Sequence, residues 1–253
     1  MKTDTYRFSD CIFVLYGTLV DIHTDEGKAE VWERLSLFYS YYGASYTPEE
    51  MRGGYERFTR KLSAGKEGLR QDSHEAFPEI KIEDVFGALF EEKGISANEP
   101  LIRHAGQFFR ILTTERLRLY EGTREMLATL RNNGKRIYLL SNAQRIFTEY
   151  EMNSLDIAQY FDGIFISSEH GCKKPDMRFF EKLLKKYRIS PNRAVMVGND
   201  GICDIVGAKQ VGLSTVYVRT EISPMEDLPD ADYVLDEMDM RRIAKILCGG
   251  KSK

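Results

Sequence analysis

Four short stretches of the chain carry side chains able to bind an anion or a cation. In the first, Val14 to Asp21, Gly17 permits a tight turn and Thr18 sets a hydroxyl beside it. The second, Ser141 and Asn142, directly follows the apolar run Ile137 to Leu140. A hydroxyl at a helix start, where backbone N–H groups lack intrahelical partners, suits an anion. The third runs from Lys173 to Asp176, and a lysine there can reach inward as a compact point charge. The fourth, Gly198 to Asp204, gathers the oxygens of Asn199, Asp200 and Asp204. Clustered oxygen donors of that kind suit a hard cation such as Mg²⁺. Taken singly, each stretch is an ordinary turn or helix cap. Together, each at the end of a predicted strand or in the loop just beyond, they describe one site.

The elements that must position these residues follow from the hydrophobic pattern. Residues 11–15 are a short apolar run that leads into the turn at Gly17, as a buried parallel strand would. Further strands are predicted at 136–140, 164–167, 194–197 and 215–218. Helices are predicted at 123–132, 143–152, 176–187 and 204–211, and Gly134 and Gly212 stand where helix C-caps belong. Residues 231–235 and a helix at 239–247 close the pattern. Alternating strands and helices imply a parallel sheet covered on both faces, with its ligand site beyond the carboxyl ends of the strands. Between about 24 and 117 the period is helical instead. Ile82, Val85, Phe86, Leu89 and Phe90 form one stripe, and Trp32, Leu35, Phe38 and Tyr42 form another. That block reads as about four helices, with strand signals nearly absent, inserted after the first strand. The dense aromatics Trp32, Phe38, Tyr39, Tyr41, Tyr42 and Tyr46 are expected mostly in its core.

Composition narrows the function classes. The chain has 253 residues and a formal net charge of −3, which argues against a nucleic-acid binder. No apolar run is long enough to span a bilayer, and the first residues lack a signal-peptide pattern, so a cytoplasmic protein is expected. The four cysteines form no C-x-x-C pair and the four histidines no metal motif, so neither a disulfide framework nor a zinc site is expected.

The segments Leu15 to Asp21, Leu139 to Asn142, Lys173 to Phe180 and Val197 to Asp204, in this order, resemble the haloacid dehalogenase superfamily along nearly the whole chain. The resemblance implies an α/β fold. A Rossmann-like parallel-sheet core would comprise residues 1–21 and 118–253, with an inserted helical C1-type cap domain at 22–117. It further implies that Ser141 and Asn142 meet a phosphoryl group, that Leu15 and Gly17 line its pocket with backbone N–H groups, and that Thr18 orients the loop. Lys174 would neutralise charge, and Asn199, Asp200 and Asp204 would hold Mg²⁺, with Asp200 compensating for the uncharged Asn199. The implied reaction is hydrolysis of a small phosphorylated metabolite by an aspartyl nucleophile, and in dimeric relatives a helical cap often supplies the contact, so a homodimer is compatible with the resemblance.

The chain departs from that pattern at the reacting residue. Val14 stands at the nucleophile position, and a valine has no lone pair to offer. Losing an attacking residue costs on the order of 10⁶ in turnover in a well-studied hydrolase. Asp10 lies about 13 Å upstream along a strand rising about 3.3 Å per residue, and Asp21 lies beyond the turn. Tyr16 occupies the general acid/base position, where phosphatases of the family carry aspartate and the dehalogenases tyrosine. Three readings follow: a phosphohydrolase scaffold impaired at Val14, a non-catalytic binder of phosphorylated metabolites, and a carbon–halogen hydrolase. The last needs the same aspartate and no metal.

Overall fold

The computed structural model describes residues 8–67, 79–224 and 230–249. Strand β1 (Asp10–Phe13) lies in the middle of a six-stranded parallel sheet, between β4 (Arg136–Ser141) and β6 (Ala194–Gly198). Beyond β4 lies β5 (Gly163–Ile166); beyond β6 lie β7 (Ser214–Val218) and β8 (Tyr233–Leu235). Phe13 is in register with Leu139 on one side and Val197 on the other, so the three central strands end together.

The apolar run of β1 is continuous because both of its faces are buried. Cys11, Phe13 and Leu15 join Leu139, Val195 and Val197 against helices α5 (Thr123–Asn132) and α9 (Met240–Leu247). Ile12 and Val14 point the other way, with Tyr138, Leu140 and Met196, onto α7 (Met177–Tyr187) and α8 (Gly207–Gln210). The helix predicted at 204–211 begins earlier than its pattern suggests. A π-helical turn, Gly201–Val206, precedes α8 and carries Asp204 inward.

Four helices between the first and third strands of the chain pack around an apolar core of their own: α1 (Ala29–Tyr41), α2 (Pro48–Glu67), α3 (Ile82–Glu92) and α4 (Glu99–Thr113). Every member of the Ile82 to Phe90 stripe is buried. The aromatics divide. Trp32, Tyr39 and Tyr46 are buried, and the phenols of Tyr39 and Tyr46 donate to the carbonyls of Phe86 and Leu89 at 2.9 and 2.7 Å; Tyr41 is exposed. Thr47 and Glu50 start α2 with a reciprocal cap, each side chain accepting the other's backbone N–H.

The hydrophobic pattern missed one element. An antiparallel ribbon of β2 (Val20–Thr24) and β3 (Thr114–Leu119) joins the helical lobe to the sheet, and it crosses both boundaries drawn at 22 and 117. Its strands are short and half exposed, so the alternation of Leu117, Arg118 and Leu119 has little length in which to register.

Asp21 sits in this ribbon, buried, with Arg116 and Arg118 on its two oxygens at 2.9 and 2.8 Å. Burial pushes its carboxyl up, but the hydrogen bonds from Arg118 and Arg116 outweigh it and hold the carboxyl below its ordinary 3.8. A depressed carboxylate stabilises the fold above its unfolded pKa, and that stability is lost as pH falls through the folded value. Asp21→Asn is therefore expected to cost about 1–3 kcal/mol at pH 7. The gap from the parent should close in acid, below the ordinary carboxylate range. Denaturant melts at both pH values check this, and an equal loss at both would be the contrary result.

Candidate functional site

The carboxyl ends of β1, β4 and β6 carry three of the four sequence stretches, and the loop that holds Lys174 packs against them. Direct hydrogen bonds join the four. Thr18 Oγ1 donates to Asn199 Oδ1 at 3.1 Å. The Asn142 amide brackets the backbone of Lys174, accepting from its N–H at 2.8 Å and donating to its carbonyl at 2.9 Å. Lys174 Nζ reaches Asp204 Oδ1 at 2.6 Å, and both side chains are 2% exposed. The second oxygen of Asp204 accepts the backbone N–H groups of Asn199 and Asp200 at 3.0 and 2.9 Å.

Two glycines make this closeness possible. A Cβ on Gly198 would lie 2.4 Å from Asp204 Oδ2, where no side chain fits. Gly17 adopts φ +76°, and a Cβ there would meet the Asn199 amide at 2.5 Å.

Val14 continues the line of β1, its N–H donating to the Val197 carbonyl at 3.1 Å. It is 7% exposed and packs in the apolar cluster with Ile12, Leu140 and Phe180. Among the described residues no carboxylate takes over its place. Asp21 is held in the ribbon, and Asp10 lies at the opposite end of β1 with Arg136 at 2.6 Å. The nearby thiol of Cys203 is pushed up to about 12, by burial first and then by Asp200 and Asp204, so it stays protonated and unreactive.

Several anion-binding groups expected from the sequence are used elsewhere. The Gly17 N–H donates to the Val20 carbonyl at 2.9 Å, closing the turn instead of facing a ligand. Leu15 is fully buried and its carbonyl accepts from Leu19 and Val20, but among the described residues its N–H is not engaged. At the start of α6 (Arg145–Ser154) the N–H groups of Ala143 and Arg145 go to the hydroxyls of Ser167 and Ser168 at 2.9 and 3.0 Å. The Asn142 side chain holds Lys174 in place, as above. Ser141 ends β4 at 1% exposure, and its hydroxyl has no hydrogen-bond partner among the described residues. Ser141 and Lys174 are thus the side-chain donors left for an anion.

Tyr16 does not stand ready as an acid or base. Its hydroxyl donates to Glu151 Oε2 at 2.5 Å and lies 3.2 Å from Thr148 Oγ1. Arg110, on α4 of the helical lobe, donates to the other Glu151 oxygen at 2.6 Å and lies over the Tyr16 ring. Burial and then the Glu151 charge raise the phenol well above its ordinary value. No motif announces Glu151 or Arg110. The signal available was a charged residue on the inward stripe of α6, among Thr148 and Met152.

The donors expected for the metal are largely engaged within the protein. Val14 offers nothing, and Asn199 Oδ1 is taken by Thr18. Asp200 Oδ1 caps the π-helical turn, accepting from the N–H groups of Ile202 and Cys203 at 3.0 and 2.7 Å. Both Asp204 oxygens are engaged. Among the described residues no three His, Cys, Asp or Glu side chains converge as metal ligands. Asn199, Asp200 and Asp204 do not fit Mg²⁺.

Comparison with known proteins agrees with the architecture. A family model described as haloacid dehalogenase-like hydrolase matches residues 11–212. A glyceraldehyde 3-phosphate phosphatase of Methanothermobacter thermautotrophicus is 36% identical over 110 residues, 44% of this chain and 49% of that protein. A phosphoserine phosphatase of Thermus thermophilus is 33% identical over 161 residues, 64% of this chain and 63% of that protein. The chain spans about half the length of the first of these curated relatives. Among solved structures, a 2-haloacid dehalogenase from Pseudomonas syringae superposes with TM-score 0.58 at 19% identity, covering 96% of this chain and 99% of that one. A phosphatase from Thermococcus onnurineus superposes at 0.56 and 20% identity, covering 97% and 100%. A matching family model over most of the chain and a shared sheet topology make one conclusion: the protein belongs to the haloacid dehalogenase-like hydrolases.

Proposed function

We propose that this chain is a phosphate-site protein of the phosphohydrolase branch that binds small phosphorylated metabolites and turns them over at background rates. One observation carries the reading: Val14, without a lone pair, is packed into the apolar core at the position where the family's reaction begins. The sequestered Tyr16 hydroxyl supports it, since its proton is directed to Glu151 and not to a ligand. The phosphatase names of its relatives support a phosphate ligand over a halogenated one. The unpartnered Ser141 hydroxyl and the Lys174 ammonium are the groups that would receive the phosphate.

Calorimetry with inorganic phosphate tests this reading. Saturable heat is expected for the parent, and Ser141→Ala should weaken it by about tenfold, the value of one hydrogen bond to a charged group. Absence of heat in the parent, or turnover of phosphate monoesters at ordinary enzymatic rates, would overturn the proposal.

A further inference from the structure

We infer that the anion site of this chain works without a divalent cation, with the Lys174 ammonium as its only cationic group among the described residues. The inference rests on the phosphate-site reading above and concerns what neutralises the ligand. A cation held by carboxylates needs oxygens that are charged and free. Here two positions of the four-stretch constellation carry no charge at all, Val14 and Asn199. Of the carboxylates that remain, Asp204 is engaged through both oxygens and Asp200 through one. Asp204 binds Lys174 through one oxygen and two backbone N–H groups through the other. Asp200 closes the first turn of the segment that carries Asp204. Freeing Asp204 would leave a buried ammonium and the backbone N–H groups of Asn199 and Asp200 without a partner, at a cost of several kcal/mol; freeing Asp200 would uncap the turn.

The same substitutions favour an anion. With neutral residues at Val14 and Asn199, no carboxylate at either position repels a phosphate dianion. The two N–H groups that hold Asp204 Oδ2 also draw off part of its charge, so the ammonium it faces is less fully neutralised. Lys174 uses one of its donors on Asp204, and an ammonium has three. At 2% exposure its charge acts in a medium that screens weakly.

Calorimetry of the whole chain decides the matter. Inorganic phosphate is titrated once with EDTA present and once with millimolar Mg²⁺, and MgCl₂ is titrated alone. The expected result is a phosphate affinity that differs by less than about threefold between the two conditions, below 1 kcal/mol, with no saturable heat from MgCl₂ alone. A larger gain with Mg²⁺, or saturable binding of Mg²⁺ alone, overturns the inference and leaves the phosphate-site reading standing. Absence of phosphate heat under both conditions removes the phosphate-site reading, and this inference with it. The double variant Val14→Asp with Asn199→Asp returns two carboxylates and is expected to make phosphate binding depend on Mg²⁺. Identical phosphate isotherms with and without Mg²⁺ for a folded double variant would overturn the assignment of the effect to these two positions.

Discussion

A Val14→Asp variant is expected to hydrolyse 4-nitrophenyl phosphate at least about 10³-fold faster than the parent chain. Removing an attacking residue costs roughly 10⁶, and a returned nucleophile in a site that has drifted recovers only part of that. The new carboxylate oxygen would attack phosphorus, the aryl oxide would leave, and water would then cleave the acyl phosphate, releasing phosphate and restoring the carboxylate. The position suits the task because β1 delivers it to the same sheet edge as Ser141. Activity should depend strongly on the leaving group. The Tyr16 proton is directed to Glu151, so no general acid helps an alkoxide depart. General acid assistance is typically worth ~10²–10⁴, so alkyl phosphates should lag aryl phosphates by at least ~10². Steady-state assays of parent and variant on both substrates check this. A parent as fast as the variant would show that another residue is the nucleophile.

Asp204→Asn is expected to be among the most destabilising single changes near the site. Asparagine keeps the shape and can still accept the backbone N–H groups of Asn199 and Asp200. What it removes is the negative charge against Lys174, in a pair whose two side chains are each 2% exposed. Leaving one member of a buried pair uncompensated costs about 3–5 kcal/mol. For a chain of this length that is a fall of roughly 10 °C in midpoint. Adding Lys174→Met should recover at least half of the loss, since the stranded charge goes with it. Thermal melts of the single and double variants measure both terms. A single variant within about 1 kcal/mol of the parent would show that solvent reaches the ammonium.

Much of this could be read from the chain, and the reasons are specific. The central strands were legible because β1, β4 and β6 are buried on both faces and read as unbroken apolar runs. The stretches at Val14, Ser141 and Asn199 could be placed together because parallel strands point their carboxyl ends one way. Spacing names the loops that meet; it does not say which side-chain oxygen a neighbouring N–H will claim. Hence Asp200 and Asp204 read as metal ligands, while in the structure one caps a turn and the other holds a lysine. The same limit hid Ser167 and Ser168, which take the N–H groups at the start of α6. The Tyr16–Glu151–Arg110 contact joins three distant segments, and no local pattern encodes it.

The ribbon of β2 and β3 bears on how the chain assembles. Val20 pairs with Leu119, so the excursion through the helical lobe leaves and rejoins the sheet at neighbouring points. Closing a loop of roughly one hundred residues loses about 4 kcal/mol of chain entropy, and the loss grows only with the logarithm of length. Once the ribbon has formed, that entropy is already gone when β1 meets β4. For the sheet, the order of pairing then becomes nearly local, and the size of the helical lobe has little influence on whether the sheet closes. The lobe can vary in length away from these contacts, because the sheet senses it through two short strands, the arginines that grip Asp21, and the hold of Arg110 on Glu151 and Tyr16.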